Sequence, residues 1–108
     1  MSQTIWGDAG GGDGAATLIN YPVTITVTSQ QILGVNAARR LLKIYNLHAT
    51  EDIYINFGAA ATVANGIRIR ALNNNPAGLP QEFSPAPSNT VNMIAAGTNA
   101  SVIVTEGT

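Results

Sequence analysis

Residues 39–58, RRLLKIYNLHATEDIYINFG, decide how this chain folds. Leu41, Leu42, Ile44, Tyr45 and Leu47 make an apolar run rich in strand-forming side chains. His48-Ala49-Thr50-Glu51-Asp52 is polar and turn-like. Ile53-Tyr54-Ile55-Asn56-Phe57 then alternates, with Ile53, Ile55 and Phe57 on one face and Tyr54 and Asn56 on the other. A period of two means a strand with one face buried and one face wet. Two such runs joined by a short polar segment read as a hairpin with a longer connection. The stretch is therefore predicted to be the central hairpin of an all-β domain.

The same period recurs on both sides. Residues 23–28, VTITVT, alternate apolar side chains with Thr, and residues 66–71, GIRIRA, alternate Ile inward with Arg outward. Residues 32–35 read as a short strand or edge segment. Residues 81–84, 90–95 and 100–106 read as further strands, and Thr62-Val63 as part of another. Asn65-Gly66, residues 73–76 (NNNP) and 78–80 (GLP) are breakers. Residues 36–39 are too few for a helix, and no window sustains a helical period. Seven or eight short strands with turn signals roughly every ten residues predict an antiparallel β-sandwich or small barrel. Residues 1–20, with Gly7, Gly10, Gly11, Gly12 and Gly14, read as a flexible Gly-rich N-terminal arm, and residues 21–108 as the sandwich domain.

Composition narrows the function. The chain has 108 residues, one domain's worth, and no cysteine, so disulfides and thiolate metal sites are excluded. A net charge of −1 gives no electrostatic case for nucleic acid or an anionic membrane. No run reaches the ~18 apolar residues of a membrane span, and the N-terminus carries no secretory pattern, so synthesis in a cytoplasm is expected. Only 10% of residues are charged, against about 25% in ordinary soluble domains. Such a surface has little charge to guard strand edges and suits packing against copies or partners, because interface cores are depleted in charge.

Catalytic and metal chemistry find little support. His48 is the only histidine, and with Glu51 and Asp52 it makes an incomplete ligand set on a turn. A hydrolytic triad lacks its nucleophile elbow, a glycosidase pair lacks facing carboxylates, and GGGDG lacks the Lys and the strand–helix frame of a phosphate loop. The expectation is no enzyme, no cofactor and no metal. For partner binding, Ile5 and Trp6 stand out as an anchor on the arm, since Trp is enriched at binding hot spots. Arg39 and Arg40 enter the first strand with no acid nearby in sequence, and Tyr54 is the candidate exposed aromatic platform.

The arrangement Asn36-x-x-Arg39-Arg40-x-Leu42-x-Ile44-x-Asn46, then Ile53-Tyr54-Ile55-Asn56-Phe57-Gly58, then Gly66-Ile67-x-Ile69, and finally Val102-x-Val104-x-Glu106-Gly107, resembles small β-sandwich or barrel virion proteins of tailed bacteriophages. The resemblance covers residues 36–107 and implies a capsid decoration or cement protein. It would be a homo-oligomer, expected as a trimer, that bridges neighbouring capsomers of the major capsid protein on the virion surface after synthesis in the bacterial host cytoplasm. A tail or fibre module recognising a host surface glycan is the alternative. If Trp6 anchors the arm on a capsid, Trp6→Ala is expected to weaken capsid binding and leave the melting temperature of the isolated protein unchanged. A fall of many degrees in a thermal scan would instead make Trp6 a core residue.

Overall fold

A computed structural model describes residues 17–108. They form eight strands, β1 (Leu18–Ile25), β2 (Gln30–Leu33), β3 (Leu41–Asn46), β4 (Ile53–Phe57), β5 (Ile67–Ile69), β6 (Gln81–Phe83), β7 (Val91–Ala95) and β8 (Ala100–Gly107), with one 3-10 turn at Leu72–Asn74. The strands lie in two antiparallel four-stranded sheets, ordered β1-β8-β3-β6 and β2-β7-β4-β5. No described element is a helix long and apolar enough to cross a membrane.

The expected all-β sandwich is present, but its central hairpin is not. β3 belongs to the first sheet and β4 to the second, so the polar residues between them form an arch that carries the chain across the sandwich. The chain pairs with itself in reverse order: β1 with β8, β2 with β7, β3 with β6 and β4 with β5. The pairs β3·β8 and β4·β7 then complete the two sheets. This is the topology of a jelly roll, a double-sheet architecture built from two Greek keys. Only the β4–β5 connection stays within one sheet. Alternation within a strand specifies which side chains face inward; it does not specify whether the next strand lies beside it or opposite it.

The inward faces behave as the alternation requires. Ile25, Leu42, Ile44, Val102 and Val104 from the first sheet meet Leu33, Ile53, Ile55, Ile69, Val91 and Met93 from the second in one buried cluster. Phe57 of β4 and Phe83 of β6 close the cluster edge to face, with centroids 5.2 Å apart and planes at 82°, a geometry favoured by the ring quadrupole. Several boundaries differ from the sequence reading, β2 at Gln30–Leu33 in place of 32–35 and β5 at Ile67–Ile69 in place of 66–71 among them. β1 begins at Leu18, so residues 18–20, assigned to the arm by composition, pair with β8. β1 stops at Ile25, and Val27, expected inward, is exposed in the turn where the chain changes sheet. Residues 62–63 form no strand, because the β4–β5 loop closes on itself through Thr62 N–H donating to Asn65 Oδ1 at 2.9 Å and Gly66 N–H donating to the Thr62 carbonyl at 2.9 Å.

The edges are guarded by means other than charge. Thr17 and Thr108 exchange both backbone hydrogen bonds. The antiparallel alternation then turns the nitrogen of Pro22 away from β8, so the free edge of β1 lacks a donor at its middle. β2, at the edge of the second sheet, has a register shift between Gln31 and Leu33, and β5 and β6 are only three residues long. A bulge and short strands blunt a sheet edge as charge does.

Gly66 sits where backbone and side chain approach most closely. A Cβ there would lie 2.6 Å from Tyr54 Cβ and 2.8 Å from the Thr62 carbonyl oxygen. Gly66→Ala is therefore expected to destabilise the domain by about 1–3 kcal/mol, the usual cost of forced overpacking. Urea unfolding checks this, and an unchanged midpoint would mean that the β4–β5 loop yields freely.

Candidate functional site

The loops gather at the two ends of the sandwich. At the lower end lie residues 34–40, 58–66 and 84–90 with the last residues of β8; at the upper end lie residues 26–29, 47–52, 70–80 and 96–99. Each end is held by a polar knot, and these knots account for most of the residues that the sequence offers for chemistry.

At the lower end the organiser is Arg39. Its side chain is 0% exposed and pairs with Glu106 through Nε–Oε2 at 2.8 Å. Its remaining nitrogens donate to the carbonyls of Pro87 (2.6 Å), Asn89 (2.9 Å) and Gly34 (2.8 Å). Asn36 Nδ2 donates to the same Glu106 oxygen at 3.1 Å. Arg39 is thus not a free partner-binding cation: burial and hydrogen bonding commit it to the β2–β3 loop, the β6–β7 loop and β8. The acid that sequence proximity could not supply comes from 67 residues away. Arg40 is exposed, and it borders a shallow depression of about 310 Å³ together with Arg39, Ser84, Pro85 and Ala86.

At the upper end the arch carries the knot. Asn46 is buried, and its amide nitrogen donates to the carbonyls of Glu51 (2.7 Å) and Ile69 (3.3 Å), while Oδ1 accepts from His48 N–H at 3.0 Å. His48 Nδ1 accepts from the N–H groups of Thr50 (3.0 Å) and Glu51 (2.9 Å). The Glu51 carboxylate accepts from Gly97 N–H and, at 3.1 Å, from Thr98 N–H. Asp52 accepts from Ala71 N–H at 2.9 Å and pairs with Arg68 at 2.7 Å. The three residues weighed as a metal set are therefore each turned to a different turn or strand, and no cluster able to hold a metal occurs among the described residues.

The other expectations resolve separately. Ile5 and Trp6 lie outside the described residues. Tyr54 is half-buried, with Arg68 and Ile94 as its ladder partners and the backbone at Gly66 against its Cβ. The cations are dispersed: Arg39 is buried, Arg40 is at the lower end, Lys43 is on the outer face of the first sheet, and Arg68 and Arg70 are at the upper end.

A feature that sequence reasoning missed lies between the edges of β5 and β6. Here a groove of about 120 Å³ has Ile44, Asn46 and Ile69 at its base. Arg68, Arg70 and Gln81 line it from the two strands and the residues just past them, and the loop contributes Asn75 and Leu79. Asn75 Nδ2 donates to the Leu79 carbonyl at 2.9 Å and shapes that loop. Among the described residues no ion pair engages Arg70. The Asn-rich run 73–75 was the available signal, but composition marked it only as a breaker.

No family model, curated protein or solved structure matches this chain.

Arg39→Ala is expected to cost about 3–5 kcal/mol in denaturant unfolding, the usual cost of breaking a buried ion pair, because it removes the counter-ion of Glu106 and the donors to three carbonyls. Arg39→Lys should recover only part of that loss, since an ammonium has at most three donors and no planar fork. Full stability in Arg39→Ala would show that the lower knot does not hold the fold.

Proposed function

We propose that the protein is a structural virion protein of a tailed bacteriophage, which decorates or cements the capsid by bridging neighbouring capsomers and acts as a homo-oligomer, a trimer. The observation that carries this reading is the outer face of the β1-β8-β3-β6 sheet. Pro22, Ile103 and Tyr45 are cross-strand neighbours and make an apolar row over three strands. The adjacent row is Asn20, Thr105, Lys43 and Glu82. Lys43 and Glu82, the charges of this row, are opposite in sign and directly paired in register.

A broad face with an apolar row and balanced charge loses little by desolvation when another protein covers it, which is the character of an interface core. The guarded edges point the same way: contact is favoured through faces and loop ends rather than by strand addition. Jelly rolls recur in viral capsid domains and in lectins, and this analogy of fold supports the reading without carrying it. Many copies on a shell turn modest individual contacts into firm holding. The glycan-binding alternative has less behind it, because Tyr54, its aromatic platform, is half-buried in the ladder and has the Gly66 backbone packed against it.

The test is co-sedimentation with empty capsids of the phage that carries this chain, with light scattering to read the oligomeric state. Binding that raises the capsids' resistance to heat is the expected result, and no binding at any ratio would sink the proposal. Tyr45→Lys should weaken capsid binding or self-association about 30-fold, as loss of a hot-spot contact worth about 2 kcal/mol does. Thermal unfolding of the variant serves as the control for its fold.

A further inference from the structure

We infer that the upper groove between β5 and β6 is a receptor for a single acidic side chain, Asp or Glu, presented by a neighbouring protein subunit. For the identity of that subunit the inference rests on the capsid reading above; for the chemistry of the groove it stands on the groove alone.

Charge comes first. Four acids occur among the described residues. Glu106 is held by Arg39, Asp52 by Arg68, Glu51 by the N–H groups of Gly97 and Thr98, and Glu82 faces Lys43 across the ladder on the outer sheet face. Arg70 lines the groove, is exposed, and has no ion pair among the described residues. Arg68 lines the same groove with its side chain 46% exposed, so Asp52 does not enclose it. Two guanidinium groups with one carboxylate between them leave the groove cationic. A planar guanidinium matches a carboxylate with two parallel hydrogen bonds.

The neutral groups say what carries that carboxylate. Gln81 Nε2 donates to the Glu82 carbonyl at 3.3 Å, and Asn75 Nδ2 donates to the Leu79 carbonyl at 2.9 Å. Among the described residues no hydrogen bond uses their amide oxygens, which stand as acceptors beside the arginines, suited to the backbone N–H groups of a peptide segment. Size then separates a side chain from a sugar. A cavity of about 150 Å³ takes a benzene ring, so a groove of about 120 Å³ takes one short side chain, with Ile44 and Ile69 beneath its methylene groups. A substituted sugar ring is larger and is usually met by an aromatic platform, and no aromatic side chain lines this groove.

The test uses the full chain and N-acetyl-glutamate N-methylamide as probe, followed through the backbone and Arg Nε–H signals in nitrogen-edited NMR. The expected result is a saturable shift confined to Arg68, Arg70, Asn75 and Gln81. In Arg70→Gln the affinity should fall roughly tenfold, as for loss of a charged hydrogen bond. The glutamine analogue of the probe should not bind. Equal shifts at Arg40, or equal binding of the glutamine analogue, would mean nonspecific attraction and overturn the inference. Tighter binding of glucuronate would overturn it in favour of a glycan. Gln81→Ala gives a second reading of the same groove should Arg70→Gln misfold. Capsid co-sedimentation separates the two levels of argument. If wild type binds capsids and Arg70→Gln binds equally well, this inference falls and the capsid reading stands; if the probe titrates as expected and wild type binds no capsid, the capsid reading falls and the groove stands.

Discussion

The buried pair of Arg39 and Glu106 is the interaction on which the lower half of this fold depends. In a jelly roll nearly every connection crosses from one sheet to the other, so consecutive strands cannot stabilise each other through a shared ladder. The loops at the lower end must be tied together by something else. One guanidinium, with Nε on Glu106 and its other nitrogens on the carbonyls of Pro87, Asn89 and Gly34, joins three segments that are far apart in sequence. A buried charge is costly unless paired and fully hydrogen-bonded, and the planar five-donor fork of Arg meets that requirement in a way Lys cannot. Loss of the fork removes the counter-ion of the acid, leaving it only Asn36, and the donors to three carbonyls at once.

The upper end reaches the same result with smaller groups. Asn46 and His48 close the β3–β4 arch on itself, Glu51 holds the β7–β8 turn and Asp52 the start of the β5–β6 loop, so the arch grips both neighbours. These two knots commit part of the chain's small complement of charge to pinning loops, with Arg39 buried outright. What remains outside is a neutral sheet face, one exposed arginine at the lower end and two at the upper, and edges blunted by Pro22, a register shift and short strands. Such a body is suited to being covered by other proteins, and that is the basis of the proposed role.

Parts of this were readable along the chain. The alternation in Ile53-Tyr54-Ile55-Asn56-Phe57 and in Gly66-Ile67-Arg68-Ile69 told correctly which side chains enter the core, except at the ends, where Ile67 is 48% exposed at the rim. The reading of Arg39 as a free cation failed because its acid is remote in sequence and adjacent only in the folded sheet. The reading of residues 39–58 as a hairpin failed because a polar turn of that length can end a ladder or cross a sandwich equally well. The groove was invisible for a related reason. Arg68 and Arg70 are two residues apart, yet Asp52 neutralises the first and the end of β5 releases the second.

By itself, then, the sequence determined the strand content, the inward face of most strands, the single-domain size and the poverty of charge, because periodicity and composition are local properties. The tertiary structure decided which strands became neighbours, which charged residues were buried and which arginines have no ion pair among the described residues. Those outcomes depend on contacts between residues dozens of positions apart. They exist only once the two halves of the chain have paired in reverse order and rolled into two sheets.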